Sequence, residues 1–117
     1  MMKSILRIAA VGVCVAGAVS AAEVQGVLMD KMCSAAAEKE GQAFAAKHDT
    51  KCALEASCAK SGYGVFTTDG KFLSFDAAGN AKAAAALKST KKVDNLKVSV
   101  MGDVTGSSIK VASLSLQ

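Results

Sequence analysis

A mainly β chain with helices, of the α+β class, is predicted by three observations. Five runs have strand character, two helical stretches interrupt them, and an Asp-Gly pair separates the second run from the third. The runs are residues 24–29, 63–67, 71–75, 96–101 and 108–116. In the fourth, Leu96, Val98 and Val100 alternate with polar residues, so one face is buried and the other is wet.

The connections follow from local chemistry. Thr68-Asp69-Gly70 predicts a tight hairpin, because a type I′ turn needs positive φ at its centre. Residues 102–106 (Gly-Asp-Val-Thr-Gly) read as the turn into the last strand. There Ile109 and Val111 keep one phase while Leu114 and Leu116 take the other, which predicts a bend or bulge near Ala112-Ser113. The first helical stretch covers about residues 34–60. Gly41 and His48-Asp49-Thr50 break it, Asp49 or Thr50 caps its last piece, and Ser61-Gly62 ends it. The second is the Ala-rich 80–89, with Asn80 as N-cap and Lys88, Lys91 and Lys92 at the C-terminal end, where positive charge is favoured. Five strands with a helical insert between the first and second, and a helix between the third and fourth, have the connectivity of a five-stranded OB-like barrel. An open five-stranded sheet with helices on one face is the competing arrangement.

The start of the chain reads as an export signal. Lys3 and Arg7 flank a short basic region, an apolar run of about a dozen residues follows, and Ser20-Ala21-Ala22 supplies small residues for cleavage. The run is shorter than the roughly 20 residues a membrane span takes, so no stable membrane insertion is expected after cleavage. Cys14 lies inside the run, but Val13 before it is bulkier than a lipidation site accepts. The expected division is residues 1–22 as signal peptide and 23–117 as one domain, periplasmic or secreted. Removing Lys3 and Arg7 takes the net charge from +4 to +2 and leaves no Arg. A nucleic-acid surface needs clustered Lys and Arg, so nucleic acid is not an expected partner; a protein partner is compatible with such a module.

Chemistry concentrates between residues 33 and 58. The expected mature chain has three cysteines, Cys33, Cys52 and Cys58, and a single histidine, His48. An odd number of thiols in an oxidising compartment leaves at least one outside any internal disulfide. Were residues 52–58 one continuous helix, the Cα atoms of Cys52 and Cys58 would be about 9 Å apart at 1.5 Å per residue. A disulfide tolerates about 7 Å, so Cys33 is the natural partner of Cys52 or Cys58. The resulting loop of about 20 residues would be worth roughly 3 kcal/mol. The second arrangement is a soft-metal site. Three thiolates and one imidazole make a tetrahedral Cys3His set for zinc, and copper would suit the same sulfurs with Met29 and Met32 nearby. Both arrangements stand on the sequence alone. A non-enzymatic module is expected; thiol redox chemistry lacks a Cys-x-x-Cys pair. Tyr63, Phe66, Phe72 and Phe75 lie on the hairpin that OB barrels use for stacking, yet burying each is worth about 2 kcal/mol, so they are expected in the core. Asp30, Glu38, Glu40 and Glu55 read as solvated.

The run Gly26-Val27-Leu28-Met29-Asp30, then Cys33, His48, Cys52 and Cys58, then Ser61-Gly62-Tyr63-Gly64-Val65-Phe66, resembles a group of small exported bacterial proteins without an assigned function. The Lys-rich link, Gly102 and the closing Ile109-Lys110-Val111-Ala112-Ser113-Leu114 are similar too. The resemblance implies an OB-like fold and a grouping of the three Cys with the His. It carries no activity.

Overall fold

The computed structural model describes residues 21–117. Residues 1–20, which hold the basic and apolar parts of the expected signal and Cys14, lie outside the described residues.

Strands form where apolar residues alternate, and each lies within a few residues of its expected span. They are β1 (Ala21–Asp30), β2 (Tyr63–Thr67), β3 (Phe72–Phe75), β4 (Lys97–Thr105) and β5 (Ser108–Leu116). The five strands make one sheet that closes in a ring, in the order β1-β2-β3-β5-β4. All pairings are antiparallel except β3 with β5, where Ser74 faces Ser108 and Phe75 faces Ile109. The long β1 joins both sides of the ring, because Gly26 and Val27 pair with β2 on one edge and with β4 on the other.

The change of phase along β5 is present. Met101 faces Ser113 while Gly102 faces Val111, so Ala112 is the extra residue of a bulge. Ile109 and Val111 point into the core before it, and Leu114 and Leu116 are half-buried after it. Two turn expectations need correction. Gly70 alone has positive φ in the 68–70 turn, and its N–H bonds the Thr67 carbonyl at 3.0 Å. This is a type I turn closed by a left-handed glycine, not a type I′ turn. Residues 102–105, expected as a turn, extend β4 because their backbone pairs with residues 108–111, which leaves Gly106 and Ser107 to reverse the chain.

The core holds Leu28, Val65, Phe66, Leu96, Val98, Val100 and Ile109, with Met29 fully enclosed. Tyr63, Phe66, Phe72 and Phe75 are all buried, as expected for core aromatics. The helical insert between β1 and β2 is four short helices: α1 (Lys31–Glu40), α2 (Gln42–Lys47), α3 (Thr50–Ala53) and α4 (Ala56–Ser61). No helix among the described residues is long and apolar enough to cross a membrane.

The helix between β3 and β4 is α5 (Ala77–Ser89), which starts three residues before the expected Asn80. Asp76 is the cap: Oδ1 accepts the Gly79 N–H at 3.0 Å and the Val111 N–H of β5 at 3.1 Å. Asn80 Oδ1 is engaged elsewhere, accepting the Tyr63 N–H at 2.8 Å. The Val111 hydrogen bond, with that from Gly79, outweighs partial burial and holds the Asp76 carboxyl below its ordinary 3.8. Between the two values the unfolded chain binds more protons, so this contribution to stability is present at neutral pH and is lost as the pH falls below about 4. Asp76→Ala is expected to lower stability by about 1 kcal/mol at pH 7, as a lost cap does. Urea melts at pH 7 and pH 3 check this: the difference between variant and parent should shrink in acid.

Candidate functional site

Each cysteine is placed by a helix start inside the insert. Asp30 ends β1 and caps α1, with Oδ2 accepting the Cys33 N–H at 3.0 Å. Asp49 caps α3 in the same way, with Oδ1 accepting the Cys52 N–H at 2.7 Å. The two segments share an Asp-x-x-Cys spacing, Asp30 to Cys33 and Asp49 to Cys52, so each sulfur stands in the first turn of its helix. Cys58 lies in α4. The chain bends at Leu54–Glu55 between α3 and α4, so the continuous helix that would have held Cys52 and Cys58 apart does not form.

The insert is anchored at several points. The Lys31 N–H bonds the Gly62 carbonyl at 2.8 Å, tying the start of α1 to the end of α4. The Thr50 N–H bonds the Val93 carbonyl at 2.8 Å, and its hydroxyl donates to the Lys92 carbonyl at 2.8 Å. The Tyr63 hydroxyl donates to the Ala53 carbonyl at 2.8 Å in the interior.

The result is two overlapping triads that share Cys33. The sulfurs of Cys33, Cys52 and Cys58 lie within 4.8 Å of one another, and all three residues are free thiols. One ligand atom each from Asp30, Cys33 and His48 also fall within 4.8 Å of one another. His48 therefore meets the sulfur cluster through Cys33. Cys58 is buried, while Cys33 and Cys52 are partly accessible. Cys33 and Cys52 line a pocket of about 310 Å³ together with Phe44, Lys47, His48 and Asp49. A larger pocket, about 660 Å³ beside Phe75, Asp76 and Lys110, shares none of these residues.

Asp30 corrects the reading of scattered, solvated acids. It is 0 % exposed, and its Oδ1 lies 2.7 Å from His48 Nε2. Burial alone would push this carboxyl up; the His48 hydrogen bond and the Cys33 N–H outweigh it and hold it below the ordinary range. The thiols move the opposite way. Burial, and then the Asp30 charge, push Cys33 well above the ordinary thiol, and the same causes raise Cys58. His48 is buried, and its Nδ1 has no hydrogen-bond partner among the described residues. The other two sulfur donors weighed from the sequence separate: Met29 is in the core, and Met32 is exposed.

Chemically, a Cys, a His and an Asp in one place match the membership of a thiol-nucleophile site. Such a nucleophile needs a lowered thiol, and here burial and a neighbouring carboxylate raise it. A cation reverses this balance, because a coordinated thiol is deprotonated by the metal itself. Sulfurs bound to one zinc at about 2.3 Å stand about 3.8 Å apart, inside the observed limit. Sequence reasoning found the three Cys and the His and missed Asp30, whose signal was the repeated Asp-x-x-Cys spacing. No family model, curated protein or solved structure matches this chain.

Proposed function

We propose that this chain is an exported, non-catalytic module with an OB-like barrel whose helical insert binds one soft metal ion, zinc or copper(I). Cys33, Cys52 and Cys58 supply the sulfurs, and His48 supplies the nitrogen beside them. The observation that carries the reading is the convergence of three free thiols within 4.8 Å from three separate helices. The strand order β1-β2-β3-β5-β4, with β3 parallel to β5, supports the OB-like barrel. Export rests on the basic, apolar and small-residue order of the first 22 residues.

The test is metal analysis with thiol counting on protein recovered from the periplasm. One equivalent of zinc or copper and three reagent-protected thiols are expected. Cys58→Ser is expected to weaken metal binding by at least about 100-fold, the upper end of what losing even an outer-shell partner costs. A metal-free protein carrying a Cys33 disulfide would sink the proposal. Export is checked by the mass of the recovered chain, which should begin at Ala22 or Glu23.

A further inference from the structure

Resting on that metal-site reading, we infer that Asp30 is a positioning residue that makes the site select zinc(II) over copper(I), by holding His48 in the tautomer that offers Nδ1 as a fourth donor. Both carboxylate oxygens of Asp30 are engaged, Oδ1 with His48 Nε2 at 2.7 Å and Oδ2 with the Cys33 N–H at 3.0 Å. The role inferred for Asp30 is accordingly to back the site through the His48 ring and the start of α1. An ionised carboxylate only accepts, so the proton in the 2.7 Å contact belongs to Nε2. In the neutral imidazole this leaves a bare lone pair on Nδ1.

That lone pair is the unexplained feature of the cluster. The His48 side chain is 2 % exposed, and Nδ1 is buried without a partner among the described residues. A buried acceptor in that state carries its whole desolvation penalty. The ring lines the same pocket as Cys33 and Cys52. Of the charged neighbours there, the ionised Asp49 only accepts and cannot satisfy a lone pair, and Lys47, which could donate to one, makes no hydrogen bond to Nδ1.

The two metals differ in what they would do with Nδ1. Copper(I) is satisfied by soft sulfur, and three thiolates suffice for it, which leaves Nδ1 as it is. Zinc takes four ligands in a tetrahedron and accepts nitrogen with sulfur. A carboxylate on the far nitrogen of a ligating His fixes the ring and raises its basicity. Asp30 supplies this for the fourth position.

The experiment uses the reduced mature chain with ¹⁵N-labelled histidine, titrated separately with zinc(II) and copper(I) against competing chelators. Zinc is expected to shift the Nδ1 resonance while Nε2 keeps its proton; copper(I) is expected to leave both nitrogens in place. Asp30→Asn keeps the side-chain size and a capping oxygen. It should weaken zinc about 10- to 100-fold and leave copper(I) affinity unchanged. His48→Ala should weaken zinc further and again spare copper(I). If Asp30→Asn does not fold, the nitrogen spectra of the parent protein decide alone. Zinc bound with Nδ1 unmoved, as a bridging water on that nitrogen would give, overturns the inference and leaves the metal site standing. So does equal weakening of both metals in Asp30→Asn. Failure of the parent protein to bind either ion overturns the metal site and this inference together.

Discussion

Asp30→Ala is expected to lower the unfolding free energy of the metal-free protein by about 3 kcal/mol. Two losses combine. The hydrogen bond to His48 involves a charged acceptor and contributes about 1.5–3 kcal/mol. The cap on the Cys33 N–H contributes about 1 kcal/mol more. Asp30 and His48 are both buried, so water does not take over their hydrogen bond, while the Cys33 N–H is only part-buried. After the change, His48 has both ring nitrogens buried and unsatisfied, because Nδ1 has no partner among the described residues to begin with. Urea unfolding checks the result: the midpoint should fall while the slope stays constant. A loss below about 1 kcal/mol would mean that the insert is held by its backbone anchors and not by this pair.

Gly26→Val is expected to abolish cooperative folding. A Cβ at Gly26 would overlap the Phe66 carbonyl oxygen and lie 2.8 Å from Val65 Cγ2. The obstacle is the backbone of β2, which cannot move aside because Val27 pairs with Phe66 and Gly26 with Thr67 next to the clash. Gly26 belongs to both ladders of β1, so a shift that relieves one edge of the ring opens the other. Ordinary overpacking of a core costs about 1–3 kcal/mol through movable side chains. A backbone obstacle in a closed sheet exceeds that range, against a total stability of about 5–15 kcal/mol. Circular dichroism with a thermal melt would show the loss, and a sharp transition within a few degrees of the parent would contradict it.

Much of the ring was legible before any coordinates. Alternation in residues 96–101 places Val98 and Val100 inward, and the phase change between Val111 and Leu114 puts a bulge near Ala112-Ser113, which the pairing assigns to Ala112. The start of α5 was not legible. Asp76 and Asn80 are both good caps, and the choice falls to Asp76 because β5 also brings it the Val111 N–H while β2 brings Asn80 the Tyr63 N–H. Those donors are 35 and 17 residues away, outside any local window. Asp30 was misread for the same reason: a carboxylate beside Lys31 reads as solvated until His48, 18 residues on, covers it.

The chain's own residue order determined where strands and helices form, which faces are apolar, and that three sulfurs and one imidazole lie in a single insert. These are matters of period and composition, readable over a few residues. The tertiary structure alone decided that the sulfurs meet, that Asp30 is buried against His48, and that one imidazole nitrogen is left without a partner among the described residues. The bend at Leu54–Glu55 turns a helical separation into a contact. Its direction depends on anchors such as Thr50 to Val93 and Tyr63 to Ala53, pairings between segments whose distance along the chain carries no signal of their approach in space.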